Sequence, residues 1–74
     1  MKIYINNEPV QFSLENENEL SQIVEQTSQW LSQEGFLLAG LTLNGKTLDA
    51  EKRSEWDHTP VDEIDELHFI AILP

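Results

Sequence analysis

The stretch that most constrains the fold is "LHFIAIL", Leu67 to Leu73. Neighbouring side chains of a strand point to opposite faces, so this run fills both faces with apolar groups. Such a strand makes a poor sheet edge and belongs in the middle of a sheet. The rest of the chain has to supply a neighbour on each side of it and a cover for at least one face.

Three other segments have the period of two that a half-buried strand shows. Lys2 to Ile5 alternates, with Ile3 and Ile5 on one face and Lys2 and Tyr4 on the other. "NNEP" follows, where Asn6 and Asn7 tolerate left-handed backbone and Pro9 ends the turn, so a hairpin leads into Val10, Phe12 and Leu14. From Leu37 the pattern returns, with Leu37, Ala39, Leu41 and Leu43 facing one way and Leu38, Gly40 and Thr42 the other. "NGK" at Asn44 to Lys46 is a tight-turn signal, and Lys46 to Leu48 forms a short return strand.

Between the hairpins the period changes to 3.6. Leu20, Ile23, Val24, Thr27, Trp30 and Leu31 make one stripe of a helix from about Glu19 to Glu34. Asn18 or Asn16 is the expected cap, Glu17 and Glu19 suit the helix dipole, and Gly35 suits the left-handed position past the end. Its polar face, Ser21, Gln22, Gln26, Gln29 and Gln33, is read as solvated. "DAEKRSEWDHTPVDEIDE" has no sustained period and reads as a loop, with one helical turn near Ala50 to Glu55 and anchors at Trp56 and Val61.

The last strand is then best placed between the first and third strands and parallel to the first, with the helix and second hairpin as the crossover. The expectation is a single α+β domain over residues 1–74: a mixed four- to five-stranded sheet with one helix across one face, the β-grasp arrangement.

At 74 residues the core is just large enough to fold alone, and with no cysteine and no metal-ligand spacing only packing can stabilise it. A net charge of -10 with four Lys and Arg argues against nucleic acid and anionic membranes, and favours a basic or neutral protein partner. The N-terminus lacks a leader pattern and no apolar run spans a bilayer, so a cytoplasmic protein is expected.

The hairpin, the helix, "LTLNGKTL", Trp56 and the closing "DELHFIAIL" together resemble the small sulfur-carrier proteins of thiamin biosynthesis, in the ubiquitin-like β-grasp superfamily. The resemblance implies a flexible Gly-Gly tail whose carboxylate is adenylated and converted to a thiocarboxylate. Here Ile72, Leu73 and Pro74 stand at those positions, and a proline ring with no flexible spacer does not suit that chemistry. No residue therefore inherits a catalytic role. A carrier or modifier whose Gly-Gly tail is missing, or a domain of a longer protein, remains the alternative.

The expected functional surface is the sheet face opposite the helix. Leu67, Phe69 and Ala71 should point to the helix with Ile3, Ile5, Phe12 and Leu41, leaving Tyr4, Leu38, Thr42, His68, Ile70 and Ile72 on the open face. Large apolar side chains grouped on a surface mark contacts. Partner binding is the first reading, a homodimer through the same face the second, and burial under loops the third. No nucleophile and base stand in a catalytic pattern, so a non-enzymatic module without cofactor or metal is expected.

The remaining features carry less. "VDEIDE" reads as a solvated charge run, with Asp65 turning the chain into the last strand. His58 and His68 lack any metal or triad context, though protonation of His68 could tune a contact. Trp30 and Trp56 are both expected in the core, and Lys46, Lys52 and Arg53 receive no role.

Overall fold

The computed structural model describes residues 1–12 and 15–74. In chain order these form β1 (Lys2–Ile5), β2 (Glu8–Val10), α1 (Leu20–Gln33), β3 (Leu37–Leu43), β4 (Lys46–Thr47), two 3-10 helices (Ala50–Glu55 and Val61–Glu63) and β5 (Glu66–Ile72). The strands make one mixed sheet in the order β2-β1-β5-β3-β4. β5 is central, parallel to β1 and antiparallel to β3. The α+β architecture and the β-grasp order are those the sequence implies.

Both hairpins use two-residue turns with left-handed backbone. Asn6 and Asn7 have φ of 52° and 68°, and Asn44 and Gly45 have 50° and 84°. That is the turn whose twist matches paired strands. Pro9 stands inside β2, opposite Tyr4, and not in the turn as the sequence suggested. A proline without an N–H is tolerated there because β2 is an edge, and together with the two-residue β4 it blunts both edges against further pairing. β2 stops at Val10, so Phe12 lies beyond the strand although it still packs on the core. Leu14, expected to extend it, lies outside the described residues.

In α1 the residues Leu20, Ile23, Val24, Thr27 and Leu31 are all buried. Its cap is Glu19, and neither Asn18 nor Asn16. The Gln22 carboxamide oxygen reaches back to accept from the Asn18 and Glu19 N–H groups at 2.6 and 3.2 Å. The distant loop does the rest: the Leu20 and Ser21 N–H groups, which have no partner inside the helix, donate to the carbonyls of Thr59 and Asp57. At the other end Gly35, at φ 85°, donates to Ser32 O and Phe36 to Leu31 O, a Schellman stop that β-branched residues could not form cheaply.

The core lies between α1 and one sheet face. Leu67 and Phe69 from β5 meet Leu20, Ile23 and Val24 of the helix, with Ile3 and Leu41 beside them. Each such side chain contributes roughly 1.5–3 kcal/mol over its exposed state. The long acidic segment closes the far end. Trp56 is buried and its indole N–H donates to Asp49 O at 2.9 Å, and Ile64 is buried in the same core. No helix among the described residues is long and apolar enough to cross a membrane.

Two asparagines hold the ends of β5. Asn6 copies a backbone pairing, accepting from Ala71 N–H at 2.9 Å and donating to Ala71 O at 3.1 Å. Asn44 accepts from the N–H groups of Asp65 and Glu66 at 2.9 Å each and donates to Glu63 O at 3.0 Å. The turn residues thus also fix the register of the central strand.

Candidate functional site: the open face of the sheet

The uncovered face is built by alternation along β1, β3 and β5. One row runs across all five strands as Pro9, Tyr4, His68, Thr42 and Thr47. Tyr4 and His68 stack with ring centroids 4.5 Å apart and planes 13° from parallel. His68 Nε2 lies 3.5 Å from Glu66 Oε1, an ion pair only when the imidazole is protonated.

The next rows are apolar. Ile70 pairs with Gly40 and Ile72 with Leu37. Ile70 lies across the bare backbone of Gly40, where an added Cβ would meet its Cδ1 at 3.2 Å. Ile70, Ile72 and Leu37 are 51%, 49% and 52% exposed, and Leu73 next to them 71%. β3 carries no charge and β5 carries only Glu66, in a chain with 14 acids. A shallow hollow of about 450 Å³ bounded by Asn6, Thr42, Gly45, His68 and Ile70 adjoins the ridge.

Five of the six expected residues, Tyr4, Thr42, His68, Ile70 and Ile72, therefore share this face, and Leu38 does not. The β3 register shifts between Leu38 and Gly40, so Ala39 is an extra residue and everything before it changes sides. Leu38 sits opposite Ala71 and packs on the core, while Leu37 takes its place on the open face. Alternation alone could not show this, but the glycine inside a strand is the signal that marks a bulge.

Trp30 is the second correction. It is 50% exposed, whereas Trp56 is 7% exposed and in the core. At about 100° per residue Trp30 falls on the margin of the helix stripe, where it lines open hollows beside Val10.

The other candidates stay apart from the face. His58 Nδ1 lies 3.0 Å from Glu19 Oε2 on an exposed surface. Arg53 pairs with Asp57 at 3.1 Å and stands over the Trp56 ring at 5.7 Å. Asp62, Glu63 and Asp65 are exposed, and no group of three or more potential ligands among the described residues could hold a metal ion. The Glu17 carboxyl is held below the usual glutamate range, first by the Glu15 N–H, then by its own backbone N–H and the Gln26 carboxamide.

Fold and face together define a small α+β domain whose sheet is closed by a helix on one side and apolar and open on the other. A family model for the TP0873 N-terminal domain matches residues 1–72, and the chain belongs to that family. No curated protein and no solved structure matches it.

Proposed function

We propose that this domain is a non-enzymatic protein-interaction module of the ubiquitin-like kind, docking a partner on the open sheet face. The observation that carries the reading is the uncharged ridge of Leu37, Ile70 and Ile72, each about half exposed while Leu41, Leu67, Phe69 and Ala71 on the opposite face are buried. Covering such a ridge gains on the order of 1 kcal/mol per large side chain, enough to centre an interface but not to require permanent association.

The occupant that suits it is a protein with an apolar centre and a basic rim. Glu66, at the start of β5, shares the open face with Ile70 and Ile72 by alternation and lies 3.5 Å from His68, and the exposed Asp65 precedes it. A second copy would set one net charge of -10 against another, which opposes a homodimer at low salt. A family described as an N-terminal domain suits a module that works in company with other protein.

The test is capture of partners from the source cell by wild type and by the Ile70→Asp, Ile72→Asp double variant, followed by calorimetric titration with the purified candidate. The reading requires at least a tenfold loss of affinity, about 1.4 kcal/mol, in a folded variant. Equal affinity for both proteins overturns it.

A further inference from the structure

The geometry points to a second contact site, independent of the open face: a slot between the last turn of α1 and the β1–β2 hairpin that receives an arginine side chain of a protein partner. The slot has a volume of about 360 Å³, and Ile5, Val10, Trp30 and Phe36 are among its walls. Glu8, from the edge strand, and Glu34, from the helix cap, stand at its rim. Both carboxylates are exposed, and no cation of the described residues pairs with either.

The walls and the rim ask for one ligand that is apolar along its length and cationic at its tip. Lysine and arginine both meet that description, but the half-exposed indole favours arginine. A guanidinium is planar, weakly hydrated and stacks on an aromatic face while still donating to carboxylates. The molecule already builds this trio internally. Arg53 stands over the Trp56 ring at 5.7 Å and donates to Asp57 four residues on. Trp30 and Glu34 place an aromatic and an acid one helical turn apart, and here no cation of the described residues completes the trio. Half of Trp30 remains in water, so its ring is accessible from the slot that it lines.

The probe is N-acetyl-arginine amide, with N-acetyl-citrulline amide as the neutral isostere, titrated into the ¹⁵N-labelled protein. The expected result is saturable shifts at the Trp30 indole N–H and the Glu34 and Gly35 amides, with a response to citrulline weaker by about fivefold or more. Glu8→Gln with Glu34→Gln, and separately Trp30→Ala, should each abolish that difference while their spectra remain those of a folded protein. The Ile70→Asp, Ile72→Asp variant should respond as wild type does, which separates this site from the open face. Equal shifts with citrulline, shifts of the same size along Asp62 to Glu66, or an unmoved Trp30 indole would each overturn the assignment.

Discussion

Phe69 and Ile70 are adjacent in β5, are both large and apolar, and do different things. Phe69 is 1% exposed beneath α1, whereas Ile70 is 51% exposed on the other side of the same backbone. The comparison shows that hydrophobicity along a strand records two demands at once. One face of β5 holds the domain together, and the other is kept apolar without any contribution to its own core. In a chain of 74 residues, where total stability is roughly 4–11 kcal/mol, apolar surface left outside the core is a cost that a surface role explains.

The largest expected effect tests that division. Phe69→Ala should lose about 3–5 kcal/mol in urea unfolding, while Ile70→Ala should stay within about 1 kcal/mol of wild type. Comparable losses at the two positions would erase the distinction between the faces. The two tryptophans repeat the contrast. Trp56→Ala should cost about 3–5 kcal/mol, since it empties the far end of the core and leaves Asp49 O without its donor, and Trp30→Ala only about 1 kcal/mol. Trp30 fluorescence should also be accessible to a neutral quencher where that of Trp56 is not.

A smaller effect sharpens how the open face keeps its register. Asn44→Ala removes three hydrogen bonds to Glu63, Asp65 and Glu66, where the chain enters β5, and puts alanine at φ 50°, for an expected loss of about 1–3 kcal/mol. Hydrogen exchange should show the added opening first at Asp65 and Glu66. If exchange there is unchanged, the asparagine is only a turn former.

The smallest effect concerns Glu17, remote from both faces. Its folded-state pKa is depressed, so its contribution is present above the unfolded glutamate value and is lost as pH falls through the lower folded one. Glu17→Gln should therefore be slightly less stable than wild type near neutrality, and the two should converge in acid. A gap that widens on acidification would contradict the hydrogen bonds from the Glu15 N–H and the Gln26 carboxamide.

The fold was legible because its strongest signals are local. The doubly apolar "LHFIAIL" placed itself at the centre, the period of 3.6 marked α1, and "NN" and "NGK" marked the turns. The candidate face was legible wherever strict alternation held, as at Tyr4, Thr42, His68, Ile70 and Ile72. It failed at Leu38 because one extra residue at the bulge reverses every assignment before it. It failed at Trp30 because burial of a residue on the margin of a helix stripe depends on its neighbours in the β1–β2 hairpin, distant in sequence. The clamps made by Asn6 and Asn44 were hidden for a similar reason: their partners lie at Ala71 and at Glu63 to Glu66, far along the chain.

The most direct measurement of the central claim is light scattering together with urea unfolding, on wild type and on the Ile70→Asp, Ile72→Asp variant. Two folded monomers with the same unfolding midpoint are predicted, which would leave the ridge free for another protein. A wild-type dimer that the substitutions dissociate would make the face a self-association surface, and an unfolded variant would place those isoleucines in the core. Either result would contradict the account.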